Sequence, residues 1–297
     1  MLSIVITAFK EPETIGRAIA AFLKQDYLKK NNYELIVATP DKETQDIVKT
    51  YMKKNKKVRI FQDPGKGKSY ALNLLLPELK GDVIIFSDGD VFVGKDAVGH
   101  IMKYFRHKNT GCVTARVVSV DSGKTMFGYW SHLMCWAAHR LRARRMRKGK
   151  FLECSGYLWA FRNKVIKKFP LDVGEDTIVP IMFYLKQWGI KYAEKALVFV
   201  SYPKNLKDFL KQKTRTAGAH DNIHKYVSKR KIPRMKTFWN EVFGGLSLFM
   251  YPRNLKELAW TIWIFPFRLY IWLTLFFNSY FRGRKYSDNW KRVETTK

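Results

Sequence analysis

Apolar residues follow two rhythms along this chain. Leu2–Ala8, Tyr33–Thr39, Val58–Phe61 and Val83–Ser87 are short continuous apolar runs, the pattern of strands covered on both faces. Between them, Thr14–Gln25, Thr44–Lys53 and Ser69–Leu79 carry apolar residues at helical spacing. This alternation predicts βαβ units and a largely parallel sheet flanked by helices. Pro12 stands just ahead of the first helix, where a first-turn proline is tolerated. Further on, the pattern predicts a helix near Lys95–Arg106, a strand near Cys112–Val120 and a long helix over Met126–Arg147. Leu158–Arg162 and Tyr192–Val200 read as strands flanking a helix at Thr177–Trp188.

The rhythm changes near Phe238, after which Trp, Phe, Tyr and Leu dominate and basic residues sit at the edges. Leu258–Phe281 is a run of 24 residues with Arg268 as its one charge and Pro266 as its one interruption. About 20 apolar residues span a bilayer, so length permits a crossing. Charge argues against it. A single crossing would carry Arg282, Arg284, Lys285, Lys291, Arg292 and Lys297 outside, against the positive-inside tendency. The preferred expectation is a helix pair bent at Pro266, lying in the interface or dipping in and returning. A true span and a soluble aromatic subdomain are the alternatives.

Charge adds a partner class. Lys+Arg 55 against Asp+Glu 25 gives a formal net charge of +30, which draws a protein to nucleic acid, anionic lipid or phosphorylated substrates. Trp130 and Trp136 lead into a cluster of arginines from Arg140 to Arg147. Such a helix suits an anionic bilayer surface. It also suits nucleic acid, or it is a solvated basic face. The membrane is preferred, because the C-terminal third is aromatic and basic too. Cys112, Cys135 and Cys154 form neither a disulfide framework nor a metal-type cluster, which fits a reducing compartment. With Leu2–Ile6 already a strand, no signal peptide is expected, and the N-terminal part should face the cytoplasm.

Chemistry-bearing residues fall at the ends of the apolar runs. Asp88 and Asp90 follow one strand at i and i+2, so both can address one hard cation. A divalent ion there would neutralise a diphosphate leaving group; an Asp-Gly-Asp turn is the alternative. Gly65-Lys66-Gly67-Lys68-Ser69 opens a helix, where glycines and free amides can meet a phosphate. It lacks Walker spacing, and a solvated turn is its other reading. Glu175 and Asp176 precede a helix, either as caps or as a general base for an acceptor hydroxyl. Arg215, beside Lys211 and Lys213, either clamps a diphosphate or sits exposed on a basic helix. His220 and His224 form a helical i, i+4 pair; His220 is a candidate extra ligand, with polar surface as the other reading.

Taken in order from residue 2 to about residue 220, these segments resemble family 2 glycosyltransferases of the GT-A fold. Glu11 in the Phe9-Lys10-Glu11-Pro12 turn falls on the family's acid, with Lys10 in place of the usual Asn. Asp41 falls where the family reads the nucleobase. Gly67-Lys68 with Ala71-Leu72-Asn73 matches its Gly-Lys…Ala-Leu-Asn segment, and Asp88-Gly89-Asp90 its Asp-x-Asp metal motif. Ser155-Gly156 with Phe161-Arg162 resembles the acceptor-side segment, and Glu175-Asp176 the Glu-Asp pair. Gln212-Lys213-Thr214-Arg215-Thr216 keeps the Gln and Arg of the processive synthases' Gln-x-x-Arg-Trp but has Thr216 for Trp. This departure points to transfer of one or a few sugars rather than polymer synthesis with export.

The resemblance implies a Rossmann-like, mixed but mostly parallel sheet over residues 1–235, and inverting, metal-dependent transfer from a UDP-, GDP- or dTDP-sugar to an acceptor hydroxyl. The aromatic and basic composition adds the expectation of a membrane-associating helical region over 236–297, and with it a lipid-linked acceptor at the cytoplasmic membrane face. Ala8, Phe9, Glu11, Asp41, Lys68, Asp88, Gly89, Asp90 and Arg215 would hold the donor. Asp88 and Asp90 would take Mg²⁺ or Mn²⁺, and Ser155, Gly156 and Gln212 would face the acceptor. Asp176 would be the base, with Glu175 as fallback. Two rivals stand beside this reading: a GT-A-like nucleotidyltransferase, and a basic nucleic-acid-binding protein without catalysis. No nucleic-acid partner is expected on the preferred reading.

Overall fold

A computed structural model describes residues 1–218, 220, 222–228, 235 and 244–281. The N-terminal half runs β1 (Leu2–Thr7), α1 (Pro12–Leu23), α2 (Asp26–Lys30), β2 (Tyr33–Thr39), α3 (Lys42–Lys54), β3 (Val58–Gln62), α4 (Lys68–Leu75), β4 (Val83–Asp88) and β5 (Phe92–Val93). It continues through α5 (Ala97–Phe105), β6 (Thr110–Ser119), α6 (Met126–Arg147), β7 (Leu158–Arg162), α7 (Glu175–Leu185), β8 (Gly189–Val200), α8 (Leu206–Gly218) and α9 (Leu255–Phe281). The strands form one sheet in the order β3-β2-β1-β4-β7-β6-β8-β5. β3, β2, β1 and β4 are parallel; β7 runs against both β4 and β6, and β5 runs against β8.

The sheet must curl, and chain length shows why. β4 and β5 lie four places apart in the sheet, roughly 19 Å if it were flat. Only Gly89, Asp90 and Val91 join Asp88 to Phe92, and four residue steps reach at most about 14 Å. The far edge is therefore folded back beside α1. There Arg17 stacks over the Phe92 ring at 3.9 Å. The Gln25 side-chain amide donates to the Gly94 carbonyl at 2.9 Å and accepts from the Val98 amide at 3.1 Å.

Burial follows strand alternation. Ile4, Ile6, Leu35, Val37 and Ile85 face one core, with Ile15 and Ile19 of α1 and Ile101 of α5. Val5, Ile36, Ile84 and Phe86 face the other, with Leu72 of α4 and Ile178 of α7. Covering both faces explains why these strands read as unbroken apolar runs. A third cluster joins α6, α8 and α9 through Tyr129, Trp130, Phe209, Ile264 and Ile271.

Two expectations are corrected. The bent pair at Pro266 is a single helix, α9, that runs through the proline and packs on α6 and α8. Among the described residues no helix is long and apolar enough to cross a membrane, so the alternative of a true span finds no support there. The basic tail from Arg282 and residues 236–243, beside the expected boundary at 235, lie outside the described residues.

Candidate active site

Parallel register gathers the site at one edge. Thr7, the last residue of β1, pairs with Ala38 of β2 and with Asp88 of β4, so their C-terminal ends open together, where such sheets place ligands. The Thr7 hydroxyl donates to Asp88 at 3.0 Å. Gly67 caps α4 at φ 108°, a region that favours glycine. This turn delivers Lys68, the first residue of α4, into the site.

Lys68 is the organising cation. Its Nζ lies 2.8 Å from an Asp88 carboxylate oxygen and 2.8 Å from Glu175 Oε1. Burial alone would depress its pKa, but Asp88 and Glu175 outweigh burial and hold it well above the usual range. Lys68 is thus no solvated turn residue: it ties the two acidic motifs together. Gly174 takes the N-cap position of α7 without a side-chain cap, so Glu175 and Asp176 sit in the first helical turn rather than capping it. A Cβ on Gly156 would lie 3.1 Å from Asp176 Oδ2, which places the Ser155-Gly156 segment against the expected base.

Asp90 carries the electrostatic tension. Desolvation first, then the charge of Asp88, pushes its carboxyl from 3.8 up to about 6, with Lys68 and Arg215 opposing. Arg215, on α8, therefore reaches the site electrostatically. Gly89 is required by close approach: a Cβ there would lie 2.3 Å from Glu11 Oε2 and 2.8 Å from Ala8 Cβ. Ala8, Glu11, Gly89 and Asp90 thus share one floor. Tyr157 belongs to it as well; burial, then the charge of Asp90, raises its phenol. Sequence reasoning misses it, although it directly follows the Ser-Gly motif.

Other expected residues fall elsewhere or are busy. Asp41 caps α3, accepting from Thr44 N at 2.9 Å, while its second oxygen accepts from Lys10 N at 2.7 Å and Thr39 Oγ1 at 3.0 Å. These bonds overcome burial and hold Asp41 below the ordinary carboxylate range. Its visible work is to join the β1–α1 and β2–α3 loops. Phe9 lies in the first of these loops, half-buried, with Lys10 Nζ 5.6 Å from its ring. Arg162 is a correction: it pairs with Val83, at the opposite end of β4 from Asp88. There it donates to the carbonyls of Thr110, Phe105 and His107. Ser155 N donates to Thr114 Oγ1 at 3.0 Å. Gln212 is buried one helical turn before Arg215, and His220 faces Glu153 at 3.5 Å.

Residues 3–169, over half the chain, match the profile of Glycosyl transferase family 2. The chain belongs to that family. The probable glycosyltransferase YdaM of Bacillus subtilis strain 168 is 28% identical over 267 residues, 84% of this chain and 63% of that protein. The poly-beta-1,6-N-acetyl-D-glucosamine synthase of Staphylococcus aureus strain COL is 25% identical over 255 residues, covering 80% and 59%. The chain thus spans about three-fifths of the length of these relatives. Among solved structures, mannosyltransferase PcManGT from Pyrobaculum calidifontis, in complex with GDP-Man and Mn²⁺, superposes with TM-score 0.64 at 16% identity, over 92% of this chain and 83% of that one. S. aureus TarS 1-349 in complex with UDP-GlcNAc gives 0.53 at 17%, over 88% and 78%. These likenesses bear out the expected GT-A-type fold, a mixed curled sheet with flanking helices.

Proposed function

We propose that this family 2 chain transfers a sugar from a nucleotide-sugar donor to a hydroxyl or lipid-phosphate acceptor at the cytoplasmic face of the cell membrane. Transfer is metal-dependent and proceeds by single displacement with inversion. The observation that carries this reading is the Lys68 bridge between Asp88 and Glu175. It draws the Asp-x-Asp segment and the Glu-Asp segment, far apart in sequence, to one sheet edge.

The donor set suits a hard divalent ion. Asp88 and Asp90 are oxygen ligands close enough that one charge hinders the other's ionisation, a repulsion that a cation relieves. Among the described residues no group of three or more His, Cys, Asp or Glu is assembled. Mg²⁺ is commonly held by one or two carboxylates together with substrate phosphates. Asp88 and Asp90 would hold the ion, which when bound supplies charge neutralisation at the departing diphosphate.

The chain's own residues do the rest. Ala8, Glu11 and Gly89 floor the donor side, and Arg215 adds positive charge toward the diphosphate. Asp176, against Gly156, accepts the acceptor hydroxyl's proton. The hydroxyl oxygen bonds to the anomeric carbon as the bond to the diphosphate oxygen breaks. GDP-Man and UDP-GlcNAc, the nucleotide sugars bound to the two solved relatives, are the first donors to try.

The test is a donor screen with UDP-, GDP- and dTDP-sugars in Mn²⁺, Mg²⁺ or EDTA, with and without polyprenyl phosphate. Transfer from one donor should vanish in EDTA. For a hydroxyl acceptor, Asp176→Asn should lower the rate by roughly 10²–10⁴-fold, the usual contribution of general-base catalysis. Near-normal turnover by Asp176→Asn would remove that residue from the mechanism.

A further inference from the structure

α9 is amphipathic the wrong way round for a helix facing water. Leu255, Ile262, Trp263, Leu269, Tyr270 and Leu273 share its outer face and are 48–84% exposed. Between Glu257 and Phe277 the one charged residue is Arg268, which is half-buried. The inward face carries the polar ties instead. Thr261 is fully buried and bonds the Tyr129 hydroxyl at 2.6 Å, while Trp130 Nε1 donates to the Trp260 carbonyl at 2.6 Å. Just before α9, Leu246 and Met250 are exposed as well. A contiguous apolar surface of this extent marks an interaction site.

Its rim is cationic. Lys256 lies 4.7 Å over the Trp260 ring, and Arg253 is exposed at the start of the helix. Arg140 of α6 stacks on Trp136 at 4.8 Å, and Trp136 meets Tyr251 at 5.1 Å. An apolar face with Trp and Tyr, edged by Arg and Lys, has the composition of a bilayer interface. A second copy is disfavoured on charge, since each chain carries +30 and like charges oppose association. A full crossing is disfavoured because the other face of α9 is committed to α6 and α8.

We infer that the outer face of α9 docks the protein on an anionic bilayer, with the helix lying in the membrane plane. The apolar side chains enter the acyl boundary, and Arg140, Arg253 and Lys256 meet lipid phosphates. α8 packs against α9 and carries Arg215, so docking sets the candidate active site one helix away from the lipid surface. This deepens the proposed membrane location, but the test reads binding alone and does not depend on sugar transfer.

The full chain is sedimented with phosphatidylglycerol–phosphatidylcholine vesicles and with pure phosphatidylcholine vesicles, and its tryptophan fluorescence is read against brominated lipid. Binding to the anionic vesicles, with quenching, is expected. Ile262→Ser with Leu269→Ser should weaken partition at least about tenfold, given the apolar area withdrawn. Arg140→Gln and Lys256→Gln should each weaken binding roughly fivefold, on anionic vesicles only. The charge variants keep the test open should the serine variant fail to fold. Absence of vesicle binding, or binding unchanged by both sets of substitutions, overturns the inference. So does a concentration-dependent dimer dispersed by the serine substitutions, which would assign the face to a second copy.

Discussion

Lys68 is the residue on which the candidate site depends. Its side chain is 15% exposed and its ammonium serves two carboxylates, one of them on Glu175, whose side chain is 6% exposed. An ion pair this dry contributes little net stability when whole, yet breaking it strands charge in a poorly solvated place. Lys68→Met keeps much of the side-chain volume and removes the cation. It should lower unfolding free energy by about 3–5 kcal/mol, measured by urea denaturation without metal. A loss under 1 kcal/mol would mean that water reaches Glu175 freely. Asp90 gives a prediction of opposite sign. Its carboxyl is raised to about 6 in the folded chain, so the folded state holds the proton more tightly than the unfolded state. Stability should therefore fall as pH rises from about 4 through about 6. In EDTA, Asp90→Asn should abolish that slope and gain roughly 1–3 kcal/mol at neutral pH. Mn²⁺ should raise the unfolding temperature of the wild type and not that of Asp90→Asn. An unaltered slope in the variant would place the titration elsewhere.

At the scale of elements, one buried polar side chain helps to fasten the curl of the sheet. Gln25 lies just past α1, is 3% exposed, and binds Ala21 and Gly94 carbonyls and the Val98 amide. Gln25→Leu keeps the shape and leaves the Val98 amide unpaired in a closed space, whereas the Gly94 carbonyl still accepts from Ala97 N at 3.2 Å. A loss on the order of 1–3 kcal/mol is expected in denaturant titration. Hydrogen exchange should quicken at Val98, which has no other reason to loosen if the curl is held differently. Nothing in the sequence announces this device, because it depends on where the far edge of the sheet returns. β5 is two residues long and exists only by pairing with β8, so no local pattern could reveal it; α2, five residues long, escaped for a similar reason. The long parallel strands were legible because burial on both faces imposes an unbroken apolar run. The acids of the site were legible because their order along the chain repeats a family pattern. The bridge through Lys68 and the neighbourhood of Tyr157 were not, since each is a contact between distant loops. Pro266 misled in the other direction. A proline removes one backbone donor, but α9 is fastened on either side of it by Tyr129 and Trp130, and packing outweighs the local preference for a break.

At the scale of the whole molecule, charge sets a condition that no single contact reveals. A net +30 on this chain repels itself in the compact state. The exposed ion pairs, such as Lys29–Asp26, Lys49–Asp46 and Arg59–Glu78, offset little of that, because water screens them and holding two long side chains together costs entropy. Raising ionic strength shortens the screening length from about 30 Å at 0.01 M to about 10 Å at 0.1 M. It should therefore relieve long-range repulsion more than it weakens short contacts, and the partly buried Lys68 bridge should be affected least. The unfolding temperature is expected to climb with sodium chloride over that range and then level off. A fall would show that surface pairs outweigh repulsion. The same screening separates the two forces proposed at α9. Salt removes attraction to lipid phosphate and leaves the apolar face untouched, so binding to anionic vesicles at high salt should fall to the level seen on neutral vesicles and stop there. A decline to zero would mean that charge alone holds the protein to lipid, and that the apolar face of α9 has no part in it.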